Sequence, residues 1–182
     1  DFTIPVADEV EANMHGGFID VRTYDGAKII GMKTIFNSVV IFKEKSAHKV
    51  YGSSPSNYQM VDLFSCNGAI ADKSIVVGNN GAYFLNRDGI YYYDGTNTTM
   101  ISHKIKDTIA RMNLNYAKDS VGMYRDGKYY VAIPLDNSSS TNCLIEYDVT
   151  NDSFMIYNVG AITNFVDYNY KIYYTGNLEI KE

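Results

Sequence analysis

Six turn dipeptides punctuate this chain and constrain its fold more than anything else in it. Asp-Gly occurs at Asp25-Gly26, Asp88-Gly89, Asp94-Gly95 and Asp126-Gly127, and Asn-Gly at Asn67-Gly68 and Asn80-Gly81. Both pairs favour two-residue hairpin turns, whose central residues need positive φ. Between them lie short β-branched and aromatic runs: Val39-Val40-Ile41-Phe42, Ser74-Ile75-Val76-Val77, Ala82-Tyr83-Phe84-Leu85 and Ile90-Tyr91-Tyr92-Tyr93. Runs this short, bounded by turn signals, predict antiparallel strands. The stretch LNRDGIYYYDGTNTTMIS, 85–102, reads as strand, tight turn, short strand, tight turn, strand.

Parts of this pattern recur. Arg87-Asp88-Gly89-Ile90-Tyr91-Tyr92 matches Arg125-Asp126-Gly127-Lys128-Tyr129-Tyr130, and Tyr170-Lys171-Ile172-Tyr173-Tyr174 is a weaker echo. On that match, Gly89 and Gly127 are expected in equivalent turns with positive φ. Tyr93-Asp94-Gly95-Thr96-Asn97 likewise resembles Tyr147-Asp148-Val149-Thr150-Asn151, as the turn between two outer strands. A period near 40 with about four strands per unit predicts β-propeller-like blades of antiparallel four-stranded sheets, as a small ring or part of a larger one. The units fall at about 26–64, 68–102, 118–158 and 161–182 of a single domain, 1–182, the last with room for two or three strands. The segment Phe18 to Val21 is a candidate for its missing strand. One stretch departs from the β pattern. Ile101, Ile105, Ile109 and Met112 fall on a helical stripe, which predicts a short helix over 102–113 with Ser102 as its cap.

A chain of 182 residues with 46% hydrophobic residues can bury a sizeable core. The formal net charge of -5 argues against a duplex-binding surface built on bulk positive charge. No apolar run approaches the length of a membrane span, and no signal-peptide pattern opens the chain. Because it begins at Asp1, it reads as a processed product or a segment of a longer protein. Cys66 and Cys143 form no C-x-x-C pair; they read as buried reduced thiols, and a disulfide does not follow from their spacing.

Few residues offer chemistry. His15, His48 and His103 have no zinc-ligand spacing, and no G-x-S-x-G elbow is present, although a Ser-His-Asp set assembles in space and is not judged by spacing. Gly78-Asn79-Asn80-Gly81 lacks the Lys and Ser/Thr of a phosphate loop and reads as a turn. Asp88, Asp94, Asp126 and Asp148 occupy turn positions, where Asp has a structural role. With 17 Tyr and no Trp, the chain lacks the terminal Trp of sialidase-type Asp boxes. Tyr91 and Tyr93 face one side of their strand and Tyr92 the other, as expected of a blade packed on both faces. No catalytic, metal or cofactor residue is assigned.

Several segments together resemble a known family: Ile29-Ile30-Gly31-Met32, Ser38-Val39-Val40-Ile41-Phe42-Lys43, Lys49-Val50-Tyr51-Gly52, Gly81-Ala82-Tyr83-Phe84-Leu85, Asp88-Gly89-Ile90-Tyr91 and Tyr93-Asp94-Gly95, closing at Ile101-Ser102. In this order they are similar to propeller-type virion proteins of tailed bacteriophages, over about Gly26 to Ile109. The resemblance implies a tail, nozzle or head-tail stabilising component of the virion. Such a protein works by assembly with other virion subunits, as a homo-oligomeric ring in one arrangement, without turnover, cofactor, specific nucleic acid or membrane. A carbohydrate- or cell-surface-binding propeller module is the alternative, and a glycoside hydrolase a third. The loop Asp136 to Asn142 is the expected partner-facing surface, free to be shortened.

Overall fold

The computed structural model describes residues 21, 26–54, 57–63, 68–176 and 179–181. They form four antiparallel sheets in chain order. The first comprises β1 (Ile29–Ile35), β2 (Ser38–Lys43), β3 (Ala47–Tyr51) and β4 (Gln59–Asp62), and the second β5 (Val76–Gly78), β6 (Gly81–Leu85), β7 (Ile90–Tyr93) and β8 (Thr98–Met100). The third comprises β9 (Val121–Arg125), β10 (Lys128–Ile133), β11 (Cys143–Asp148) and β12 (Ser153–Asn158), and the fourth β13 (Asn164–Tyr168), β14 (Lys171–Gly176) and β15 (Glu179–Lys181). Each sheet is an up-and-down meander. The opening strands are neighbours in series: β1 lies by β5, β5 by β9, and β9 by β13. The sheets therefore radiate as blades from a shared inner line.

Strand alternation divides the side chains of each blade between two interfaces. In the second sheet Ala82, Phe84, Tyr91 and Tyr93 pack towards the first sheet, on Ile35, Val40 and Phe42. Tyr83, Leu85 and Ile90 pack the other way, on Tyr129, Val131, Ile133 and Ile145 of the third sheet. Tyr92 joins the latter side, so the Tyr91-Tyr92-Tyr93 triplet serves both cores, as alternation requires. The third sheet then turns Ala132 and Leu144 towards Ile162, Phe165 and Tyr174 at the fourth. A continuous apolar run such as Ala82 to Leu85 is thus explained by burial on both faces.

The repeat needs a correction. Asp126-Gly127 joins the first and second strands of its sheet, but Asp88-Gly89 joins the second and third of its own. The 87–92 and 125–130 match therefore slips by one strand. Asp-Gly reports a tight turn wherever one is needed and carries no information on which strands it joins. The true equivalent of Arg125–Tyr130 is the β13–β14 hairpin, where Asn169 and Tyr170 both take positive φ between Tyr168 and Lys171. The Tyr-Asp match does align third-to-fourth strand turns in the two sheets. Asn80-Gly81 also shifts: Gly78 pairs Gly81, so the loop is Asn79-Asn80. Asp25 and Asn67 lie outside the described residues.

Gly127 and Gly89 are consequently different glycines. Asp126 and Gly127 have φ of 49° and 77°, the left-handed pair of a two-residue hairpin. Gly89 is not among the positive-φ residues; it closes a four-residue loop in which the Asn86 N–H donates to its carbonyl (2.8 Å). A Cβ at Gly89 would lie 2.7 Å from Ser102 Oγ, whereas one at Gly127 would meet only Thr150 Oγ1, at 3.9 Å. Contact demands glycine at 89, whereas at 127 the left-handed backbone only excludes residues that cannot reach it. Gly127→Asn is therefore expected to be nearly neutral, because Asn tolerates left-handed φ. Gly127→Val is expected to cost about 1–3 kcal/mol, and Gly89→Asn a similar amount through overpacking. Urea midpoints of the three variants check this; equal losses at Gly127→Asn and Gly89→Asn would refute the distinction.

The helical stripe is present but short. A 3-10 turn over Ser102–Ile105 runs into α1 (Lys106–Ile109). Ile101, Ile109 and Met112 are buried between the second and third sheets. Ser102 does not cap the segment with its side chain; its hydroxyl accepts the Ile90 N–H at 2.9 Å, tying the segment to β7. Among the described residues the fourth sheet has three strands. Of the candidate Phe18–Val21 strand only Val21 is described; its carbonyl accepts from Lys43 Nζ (3.0 Å), beside the first sheet.

Candidate functional site

The tyrosines gather where the second and third sheets meet. Tyr83 is their hub, its ring 5.2 Å from Tyr129 and 5.5 Å from Tyr124, with interplanar angles of 19° and 11°. Tyr92 stands at 4.9 Å and Tyr147 at 6.3 Å. The Tyr129 hydroxyl donates to the Ser74 carbonyl at 2.8 Å. Burial raises the Tyr83 and Tyr129 phenols above their ordinary value of 10.0. Burial, then the Asp152 carboxylate, pushes Tyr147 up to about 12. These groups hold their protons and are packed on one another. They form an interface between blades.

A Ser-His-Asp set does assemble in space. His48 Nδ1 is 2.7 Å from Asp62 Oδ1, and its Nε2 is 3.1 Å from Ser46 Oγ. The connectivity is that of a nucleophile, base and orienting acid. Its setting differs from a catalytic one. The His48 side chain is fully buried, and His48 pairs with Asp62 across β3 and β4 on the face turned away from the second sheet. The Ser46 carbonyl closes the β2–β3 turn by accepting the Lys43 N–H at 2.8 Å. A buried imidazole needs a partner on each nitrogen, and this set supplies both while pinning the turn to the β4 strand. Ser46→Ala is expected to cost about 1 kcal/mol in stability. The unaltered protein should resist a fluorophosphonate probe; labelling at Ser46 would identify an activated nucleophile and reverse this assignment.

A cleft of about 1070 Å³ opens between the outer strands of the first sheet and the β7–β8 turn. Several of its polar side chains make internal bonds. Tyr51 donates to Gln59 Oε1 (2.8 Å), and Lys49 Nζ donates to the Gly95 carbonyl (3.3 Å). Asn57 Oδ1 accepts the Ser53 and Ser54 N–H groups, each at 2.9 Å. These amides and hydroxyls shape the loop that borders the cleft.

The turn aspartates have structural partners. Asp94 Oδ1 accepts the Thr96 and Asn97 N–H groups, both at 2.7 Å, and Asp148 Oδ1 those of Thr150 and Asn151, at 2.9 and 3.0 Å. These amide donors hold both carboxyls below the ordinary carboxylate range. Asp88 accepts from the Tyr91 hydroxyl (3.1 Å), and Asp126 pairs with Arg125 (3.0 Å). Each sits in a different turn. Cys143 is a buried free thiol whose pKa burial raises, and Cys66 and His15 lie outside the described residues. Among the described residues no three His, Cys, Asp or Glu side chains group as metal ligands.

The loop 136–142 is less free than its composition suggests. Asp136 pairs with both Arg111 Nε and Nη2, and Asn113 donates to the Ser138 carbonyl at 2.9 Å. Thr141 is buried, and its hydroxyl accepts the Ile162 N–H at 2.9 Å, linking the third sheet to the fourth. Removal of the whole loop would cut these ties. Only the exposed residues between Asp136 and Thr141 are dispensable to packing.

Exposed apolar side chains lie elsewhere, among them Met155 and Ile156 on β12, Leu114 after the helix, and several on the outward faces of the first and fourth sheets. In the first sheet, register places Met32 and Val39 on the face turned away from the second sheet, with Val50 and Met60 in line with Val39. Met32 is 59% exposed and Val39 39%. In the fourth sheet Phe165 and Tyr174 face the third, so Val166, Tyr168 and Tyr173 face outward. Val166 is 47% exposed and Tyr168 69%. Nothing in the residues marks these positions beforehand, because the alternation looks the same whether or not a neighbouring sheet follows.

Comparison with known proteins agrees with this geometry at the level of fold. The chain is similar to the WD40 domain of Pan2 from Neurospora crassa, with a TM-score of 0.54, over 86% of this chain and 46% of that one. The chain has a β-propeller fold. At 10% identity the similarity concerns architecture alone, and the chain spans just under half the length of that domain. No family model matches the sequence, and no curated protein matches it.

Proposed function

We propose that this chain is a propeller scaffold that works by binding other protein subunits, without turnover, as a structural component of a tailed-phage or prophage virion, in its tail or head-tail region. The observation that carries the subunit-binding part is the pair of exposed apolar sheet faces. The inner strands of the facing blades are buried against each other, and these two faces carry the same kind of apolar side chains without a described sheet against them, as contact surfaces do. The virion part rests on the resemblance over Gly26 to Ile109. The tyrosines and turn aspartates are consistent with a scaffold, since their hydroxyls and carboxylates are engaged in packing and turns. The net charge of -5 fits protein partners better than a nucleic-acid backbone.

Mass spectrometry of particles purified after induction of the strain that encodes the chain tests this reading. The protein is expected in the particles at a fixed stoichiometry to the tail proteins. Its absence from intact particles would overturn the virion assignment. Hydrolysis of a glycan by the purified protein, lost on substitution of a single Asp or Glu, would overturn the non-catalytic one.

A further inference from the structure

We propose that two copies of this chain join edge to edge through β12, making one continuous sheet of their third blades. β12 is the outer strand of its sheet, and among the described residues no strand pairs with its free edge. The outer strand of a blade lies on the perimeter of a propeller, so its edge points outward whichever blades stand beside the four described. Folded proteins blunt such edges by shortness or charge. The outer strands of the other sheets have four, three and three residues. β12 has six, Ser153–Asn158, with no charge, proline or glycine among them. Met155 is 54% exposed, Ile156 43% and Tyr157 37%.

The phase of the ladder shows which groups this edge offers. The Val159 N–H donates to the Asn142 carbonyl, one step beyond the opposed residues Asn158 and Cys143. Antiparallel ladders alternate, so Ser153, Met155 and Tyr157 turn their N–H and C=O groups to β11, and Phe154, Ile156 and Asn158 turn theirs outward. A second β12, antiparallel and related by a two-fold axis at Ile156, meets this pattern group for group. Ile156 then faces Ile156 of the other copy, and Phe154 faces Asn158, each as a hydrogen-bonded pair. On the opposite side of the sheet Met155 of each copy lies across from Tyr157 of the other, a thioether–aromatic contact. The lack of charge favours a second copy as the occupant, because a two-fold axis sets a charge at its centre against its own duplicate. A contact of this symmetry uses up the edge and closes at two copies. The inference rests on the third sheet and not on the virion assignment. Absence from particles would sink only the latter, and a monomeric chain in solution only the former.

Sedimentation equilibrium of the purified chain, with circular dichroism to confirm folding, tests it. A pair of six-residue strands is a small interface, so the mass is expected to pass from 20.5 kDa to twice that value as concentration rises through roughly 10–100 µM. Ile156→Lys and Ile156→Glu should each weaken association by roughly tenfold or more, since each places like charges opposite one another at the axis. Mixed in equal amounts they should associate again, because Lys then faces Glu. Ile156→Pro should abolish pairing and leave the fold intact, because the N–H it removes points away from β11. Leu114→Glu, at an exposed position elsewhere, should change nothing. Amide hydrogen exchange at Phe154, Ile156 and Asn158 should slow as dimers form, while Met155 and Tyr157 exchange slowly throughout. A chain still monomeric at about 500 µM overturns the proposal. So does a mass that grows past the dimer, a mixture of the two charge variants that associates no better than either alone, or a dimer in which those three amides still exchange freely.

Discussion

Tyr83→Ala is expected to be among the most damaging single substitutions in the protein, at about 3–5 kcal/mol. The ring is 4% exposed and lies within 4.9–6.3 Å of Tyr92, Tyr129, Tyr124 and Tyr147. Truncation removes a large apolar surface and leaves a cavity at the interface of the second and third sheets. The facing rings come from β7, β9, β10 and β11, held in their own sheets by ladder hydrogen bonds, so collapse into the space is limited. For a chain of this size the melting temperature should fall by roughly 10 °C or more. Tyr83→Phe keeps the stacked ring and should stay within about 1 kcal/mol of the parent. Tyr170→Ala, at a turn residue 91% exposed, should change stability by less than about 0.5 kcal/mol. If thermal or urea melts place Tyr83→Ala beside Tyr170→Ala, the aromatic interface does not hold the two blades together.

The sequence made the blade architecture readable because turn chemistry and strand alternation are local. Asp126-Gly127 makes the hairpin its residues predict, and the Tyr91-Tyr92-Tyr93 triplet divides between two cores. Asp94 and Asp148 perform the same turn closure in two sheets, and this was visible as the Tyr-Asp-x-Thr-Asn match. What was not legible depends on which strands meet. Asp88-Gly89 and Asp126-Gly127 look alike in sequence, yet one needs glycine to clear Ser102 and the other to reach positive φ. Ser102 looked like a helix cap, and its hydroxyl is instead taken by the Ile90 amide. Ser46, His48 and Asp62 come together only because β2, β3 and β4 form one meander. The outward faces of the first and fourth sheets are the extreme case. Met32 and Val166 follow the same alternation as buried residues, and only their place at the ends of the series exposes them.

Alkaline solution should unfold this protein cooperatively, and the same tyrosine interface is the reason. Tyr83 and Tyr129 titrate above the ordinary value in the folded state because burial penalises their phenolate forms, and Tyr147 is raised to about 12. In the unfolded chain all three lose their protons near pH 10. Above that point the unfolded state binds fewer protons than the folded one, so stability falls as pH rises. The contribution is complete below pH 10. It declines through the window above it, with Tyr147 ceasing to add to the slope beyond about pH 12, its own folded value. Each group adds about 1.4 kcal/mol per pH unit, and three together about 4. Against a net stability at the low end of about 5–15 kcal/mol, that slope brings unfolding to just above about pH 11, and a more stable fold unfolds at correspondingly higher pH. Tyrosinate absorbance should then show a late step that coincides with loss of the β-sheet dichroism. Tyr129→Phe supplies the internal check. It leaves the Ser74 carbonyl without the phenol donor, costing about 1–3 kcal/mol at neutral pH, and it removes one titrating group, so the alkaline decline should become shallower. A parent protein whose tyrosines all titrate smoothly near pH 10 while the sheets remain intact would show that this interface is open to water.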